Sequence, residues 1–290
     1  MRDNFGDLEE KFSAYRTSRV VILPISYEGT VTYGKGTGQG PKAIIEASQQ
    51  LELYDEELDQ ETYRIGIHTL KGIKAETLSP EELTEAVYRE ASRLAGEGKF
   101  LAALGGEHSL SLGLVKALNQ KYKDLTVLQL DAHADLRDKY QGTKYNHACI
   151  GRRILELTPL TQVGVRSLDR VQADYMRSEK RLKVFYASRI IGQKDWIEEV
   201  LSSLSSNVYL TFDLDVLDPG IMPAVGTPEP GGLSWYETLN FLRRLTEKKR
   251  IVSFDIVELS PQPGNIAPDF LAAKLVYKLL GYIFKRQVKS

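Results

Sequence analysis

Cysteine is all but missing: Cys149 stands alone among 290 residues. No disulfide can form within the chain, and a cysteine-based zinc site is excluded. Long apolar runs are missing as well. Nothing approaches the roughly 18 consecutive apolar residues that span a bilayer. The opening MRDNFGDLEEKF is charged where a secretory signal carries an apolar core. Excess charge of either sign is also lacking. The 38 Lys and Arg balance 39 Asp and Glu to a formal −1, which offers no general attraction to nucleic acid or to an anionic membrane. There is no linker rich in Pro, Gly or Ser, no shift of composition and no internal repeat. A soluble, cytoplasmic protein is therefore expected, with one domain over residues 1–290 and neither nucleic acid nor membrane as partner.

What is present is an ordinary globular composition, 42% hydrophobic and 27% charged, in a chain long enough to bury a sizeable core. Short β-rich runs alternate with helical patterns. Strands are expected at 19–25, 100–104, 126–130, 160–165, 207–212 and 251–254, with weaker ones at 63–67 and 182–185. The clearest helix opens at Ser79: Pro80 sits at its first position, Glu82 completes a capping box, and Leu83, Val87, Ala91 and Leu94 share one face. Alternation of this kind predicts an α/β fold, a mostly parallel sheet covered on both faces. Ligands of such sheets bind beyond the carboxyl ends of the strands.

Three of those ends carry unusual residues. The run at 100–104 leads into GGEHSLSLG, that at 126–130 into DAHAD, and that at 207–212 into DLDVLDPG. In DAHAD, Asp131, His133 and Asp135 recur at every second position, so an extended backbone would aim all three one way. Asp213 and Asp215 repeat the spacing. With His108 these strand ends offer four carboxylates and two imidazoles. A bare cluster of that kind is costly, and two divalent cations would balance it. Oxygen-rich ligands with imidazole and no thiolate suit manganese or magnesium, and the imidazoles favour manganese. His68 has no such company and reads as a surface or packing residue, and Cys149 as small and buried.

The ordered set GGEHS, DAHAD, SSNVYLTFDLDVLDP and GTPEPGGL resembles the signature blocks of the ureohydrolase family, which includes arginases and agmatinases. The likeness extends from PISYEGTVTYGKGTGQGPKAI to SFDIVELSP, nearly the whole chain. It implies a three-layer α/β/α fold, two manganese ions per subunit, and a homotrimer or homohexamer. Carried over, it gives one ion to His108, Asp131, Asp135 and Asp213. The other falls to His133, Asp131, Asp213 and Asp215, so Asp131 and Asp213 would bridge. Glu107 and Ile45 depart from the family pattern, where Asp and Arg are usual; neither is a ligand, and little is expected of either change.

Two cations sharing carboxylates lower the pKa of water and make hydroxide available near neutral pH. Asp135 would aim it at a guanidinium carbon. Glu258, in DIVELSP, matches the family's guanidinium-holding carboxylate, since a carboxylate suits a planar cationic fork. His147, in YNHACIGRR, matches the family's proton carrier to the leaving amine. Urea and a primary amine would follow.

The loop RDKYQGTKYNHACIGRR lacks the arginase-like Ser-Gly-Asn stretch that holds an α-carboxylate, while GTPEPGGLSW is similar to agmatinases. Agmatine, giving putrescine for polyamine biosynthesis, is thus the first expected small-molecule guanidine substrate. N1-aminopropylagmatine is the alternative, and 4-guanidinobutyrate, with Arg137 and Lys144 nearby, or arginine follow. A rival of another class is a nucleotide-binding module, because Gly29, Gly34 and Lys35 fit a phosphate-loop spacing. Gly36 stands where the metal-binding Ser or Thr of such a loop belongs, so those glycines are expected instead to carry a loop past the mouth of the site.

Overall fold

The computed structural model describes residues 2–287 apart from Lys74, Lys194 and Arg286. In chain order its strands are β1 (Val20–Ile25), β2 (Tyr54–Asp55), β3 (Gln60–Glu61), β4 (Ile67–Thr69), β5 (Phe100–Gly105), β6 (Leu125–Leu130), β7 (Leu160–Val165), β8 (Leu182–Tyr186), β9 (Asn207–Asp213) and β10 (Arg250–Val257). β2 and β3 form a small antiparallel pair. The other eight make one sheet in the order β4-β1-β5-β10-β9-β6-β7-β8, and every neighbouring pair in it is parallel.

β1 shows why three layers form. Val20 and Ile22 face one apolar cluster, with Ile44, Val200, Leu242 and Leu275 from helices on that side. Val21, Leu23 and Ile25 face another, with Leu83, Val87, Leu114 and Ile154. A strand buried on both faces reads as a continuous apolar run, not an alternating one. The helix Pro80–Gly96 has the expected capping box from Ser79 and Glu82, and it buries Leu83, Val87, Ala91 and Leu94. Among the described residues no helix is long and apolar enough to cross a membrane.

Two strands differ from expectation. Residues 62–65 form a 3-10 turn, not a strand, and β4 starts only at Ile67. Gly66 adopts a φ of +78° between them, which reorients the chain before pairing with β1 begins. β10 runs on to Val257, past Asp255 and beyond the expected end at residue 254. That carboxylate is buried but accepts hydroxyl hydrogens from Ser111, Thr211 and Tyr209, so the strand tolerates it.

β10 lies between β5 and β9. The three donor-bearing strands are therefore not contiguous, and the intervening strand brings Glu258 into their row.

Candidate metal centre

The carboxyl ends of the four central strands supply the site in sheet order. β5 leads to Glu107 and His108, β10 to Glu258, β9 to Asp213 and Asp215, and β6 to Asp131, His133 and Asp135. Convergence does not come from strand alternation. β6 ends at Leu130, Asp135 has a φ of +48°, and Asp215 sits in the 3-10 turn Leu214–Val216. Hydrogen bonds fold the two motifs onto each other instead. Asp131 Oδ1 accepts from the His133 N–H at 2.6 Å and Asp213 Oδ1 from the Asp215 N–H at 2.9 Å. Asp215 Oδ1 in turn accepts from the Ala132 N–H at 2.9 Å. Short aspartates are used here as local backbone acceptors, and this bends both loops inward.

His108 Nδ1 lies 3.1 Å from Asp131 Oδ2, 3.2 Å from Asp213 Oδ2 and 3.6 Å from Asp135 Oδ2. His133 Nδ1 lies 2.7 Å from Asp215 Oδ2 and 3.8 Å from Asp131 Oδ1. Two donor groups able to hold a metal result, each within 4.8 Å: His108, Asp131 and Asp213, then Asp131, His133 and Asp215. Asp131 belongs to both. Asp213 joins the first group alone, and Asp135 stands at its edge.

Burial raises Asp131, and the neighbouring Asp215 charge adds to it; Asp213 is raised well above its ordinary value for the same reasons. Asp135 is pushed up to about 8 by burial and by Asp131. Burial acts to lower His133, yet the Asp215 carboxylate outweighs it and holds the imidazole up to about 11.

The donor set fits a metal. His108 Nε2 is 2.8 Å from Thr211 Oγ1, and that hydroxyl gives its own hydrogen to Asp255 Oδ1 at 2.7 Å. Nε2 must then carry a hydrogen, which makes Nδ1 the ring nitrogen turned toward the carboxylate oxygens. Nδ1 is buried and makes no hydrogen bond. Carboxylates gathered there call for positive charge, and a divalent ion supplies it with the oxygen and imidazole donors it prefers.

Residues behind the donors escaped the sequence reading. Gln129 donates to Asp131 Oδ2 at 2.7 Å, and Gln162 donates to Gln129 Oε1 at 3.0 Å. Their one signal is an amide inside each of two largely apolar strands. Arg166, half-buried, donates to the carbonyls of Asp215 at 2.7 Å and Glu229 at 2.8 Å, and so clasps the GTPEPGGL loop to the end of β9. Gly106 is crossed so closely that a Cβ would lie 1.9 Å from the Tyr27 carbonyl oxygen. No other residue fits beneath the loop that follows β1.

The strand ends open into a cavity of about 340 Å3. Asp135, His147, Glu258 and the segment Val31–Gly34 line it, with Arg137, Tyr140 and Asp169 toward the outside. The N-terminal glycine loop does pass the mouth, since the Gly34 N–H donates to the Gly226 carbonyl at 3.1 Å. It has no free cradle for a phosphate. The N–H groups of Gly36 and Gly38 are taken by Glu28 Oε2, at 2.9 and 3.1 Å.

The family model "Arginase family" matches residues 18–281. The chain belongs to the arginase family. It is similar to the N(1)-aminopropylagmatine ureohydrolase of Synechocystis sp., with 42% identity covering 97% of this chain and 94% of that protein. Identity to the agmatinase of Pyrococcus horikoshii is 33%, covering 95% of each. Among solved structures, the agmatine ureohydrolase of Thermoplasma volcanium superposes with a TM-score of 0.87 at 32% identity, covering 98% of this chain and 95% of that one. The protein is thus an enzyme of the arginase/agmatinase ureohydrolase family, with its three-layer fold.

Within this arginase-family site, Glu258 has a φ of +68° and accepts the His108 N–H at 2.6 Å. Asp135 and Glu258 are two of five non-glycine residues with positive φ among those described, and such strain gathers where geometry is imposed by the surroundings. Burial, with Glu107 nearby, raises Glu258 well above the ordinary carboxylate range. His147 lines the cavity, and burial followed by the facing charges of His108 and His133 pushes its imidazole down to about 4. Arg137 is paired with Asp169 at 2.7 Å. Lys144 is not among the lining residues and rests over the Tyr145 ring. Cys149 is buried and free, and His68 binds the Ser13 carbonyl at 2.7 Å on the edge strand, outside the site.

Proposed function

We propose that this enzyme is a two-manganese ureohydrolase that acts on a decarboxylated guanidine, N1-aminopropylagmatine ahead of agmatine. The buried Nδ1 of His108, facing three carboxylates without a hydrogen bond to any, carries the metal-dependent reaction class. Agmatine was the first expectation from the sequence. The order is reversed because the aminopropylagmatine enzymes of Synechocystis sp. and Thermus thermophilus stand at 42% and 39% identity, against 33% for the Pyrococcus horikoshii agmatinase.

His108, Asp131, Asp135 and Asp213 would hold one ion, and His133, Asp131, Asp213 and Asp215 the other. Bound there, divalent cations supply a strong oxygen nucleophile from water at neutral pH. Asp135 would accept a hydrogen bond from that water and aim it. The Glu258 carboxylate pairs with the guanidinium fork. His147 takes up a proton released by the attacking water and, as the carbon–nitrogen bond to the alkyl chain breaks, gives it to the departing amine. Aminopropylagmatine and water become spermidine and urea. Agmatine would give putrescine and urea.

The test is urea release from manganese-loaded protein supplied with aminopropylagmatine, agmatine, arginine and 4-guanidinobutyrate. The highest kcat/KM is expected for aminopropylagmatine. Preference for agmatine would restore the second reading, and preference for arginine would overturn both.

A further inference from the structure

Glu107 reads from the sequence as a bystander next to the donor His108. Its contacts give it a different employment. The side chain is fully buried. Its Oε2 accepts the Thr30 N–H at 2.6 Å, and its Oε1 accepts the hydroxyls of Thr30 at 2.7 Å and Ser109 at 2.5 Å. Donors converge on both oxygens, as they do around a carboxylate. With its hydrogen given to Glu107, the Thr30 hydroxyl has only lone pairs left to offer. Both are used by one residue: the His147 N–H lies 3.1 Å from Thr30 Oγ1, and His147 Nδ1 lies 3.0 Å from it. Nδ1 must therefore carry hydrogen, and Nε2 is the ring nitrogen left for chemistry in the cavity.

We propose that Glu107, acting through the Thr30 hydroxyl, is a positioning residue that holds His147 as the Nδ1–H tautomer with Nε2 free to take up and give the proton. The proposal rests on the reading of His147 as proton donor to the leaving amine. Nδ1 keeps its hydrogen throughout, so only Nε2 cycles, and the carboxylate two bonds behind favours the imidazolium that forms in passing. A buried acid oriented behind a catalytic imidazole does the same in serine hydrolases. Here a hydroxyl bridges the two. The same threonine opens the segment Val31–Gly34 that lines the cavity, so one residue ties the loop after β1 to the proton carrier.

The experiment is a kinetic cycle on the manganese-loaded enzyme, with metal content measured for each variant. His147→Asn is expected to lower kcat by about 100-fold, the low end for loss of general acid catalysis. Thr30→Val should lower kcat by about ten-fold with KM within about two-fold, and Thr30→Ser should recover most of that loss. Glu107→Gln is expected to follow Thr30→Val, and it carries the test if the valine variant does not fold. In the His147→Asn background Thr30→Val should cost nothing further, because its effect passes through that ring. Additive losses, failure of serine to rescue, or loss of manganese in Thr30→Val would each overturn the linkage. An undiminished His147→Asn would instead refute the proton-donor reading itself.

Discussion

Asp131 Oδ2 lies 3.1 Å from His108 Nδ1 in full burial, and no hydrogen bond joins them. Without metal, such a site must hold protons. Asp135 is pushed up to about 8 by burial and Asp131, and His133 is held up to about 11 by Asp215 against the effect of burial. At pH 7 both are protonated in the metal-free protein, and a bound cation must displace those protons. Manganese added to metal-free protein at pH 7 should release at least about one proton per chain. Affinity should strengthen as pH rises through about 8, where Asp135 gives up its proton. Calorimetry in two buffers of different ionisation enthalpy measures the proton count; binding without release would contradict the protonated cluster.

Asp131 is the one residue common to both donor groups. Asp131→Asn keeps the shape while removing the charge that both cations would share. It is expected to lose both metals together, and activity by more than about 100-fold, beyond the usual effect of a residue that merely supports a ligand. Metal analysis beside the urea assay decides it. A variant that keeps one ion, or keeps turnover, would break the shared assignment.

Gln129 should show the smaller effect. Its amide holds Asp131 Oδ2 at 2.7 Å, and Gln162 holds Gln129 in turn. Gln129→Leu fits an apolar strand, so the fold should survive, while manganese affinity is expected to fall by about 10- to 100-fold. Competition with a metal indicator reads the loss, and unchanged affinity would leave the amide pair a purely internal contact.

The pattern of legibility follows from sequence distance. The strands were visible because a parallel sheet buried on both sides needs uninterrupted apolar runs, and the donors were visible because they cluster in short motifs at the ends of such runs. Gly66 and Asp255 misled at the borders, the first by turning the chain before β4, the second by being a charge that hydroxyls satisfy. Thr30 lies 77 residues from Glu107 and 117 from His147. Only the insertion of β10 between β5 and β9 and the placing of β1 beside β5 bring such partners together. No local pattern records that order. Arg166 was silent for a similar reason, since the Asp215 and Glu229 carbonyls that it clasps lie 49 and 63 positions away.

Away from the site, Lys278 offers a test of stability. Its side chain is almost wholly buried, with Nζ 3.0 Å from Asp55 Oδ1 and 2.8 Å from Glu57 Oε2. The pair fastens the β2–β3 hairpin to the helix Ala267–Phe284. Burial acts to lower Lys278, but Glu57 and Asp55 raise it above 10.5, while Glu57 is lowered below 4.5 because Lys278 and Tyr282 outweigh its own burial. A raised lysine stabilises below its unfolded pKa and loses that contribution as pH climbs past the folded value. A lowered carboxylate stabilises above its unfolded pKa and loses it in acid. The linkage is therefore complete between about pH 4.5 and 10.5 and fades on either side. Lys278→Met leaves the fully buried Asp55 carboxylate uncompensated and should cost about 3 kcal/mol. Adding Asp55→Asn removes that stranded charge and should recover part of the loss. Denaturant unfolding of the three proteins at pH 7 measures both steps. A double variant no better than the single one would show that the buried charge is not what Lys278 answers.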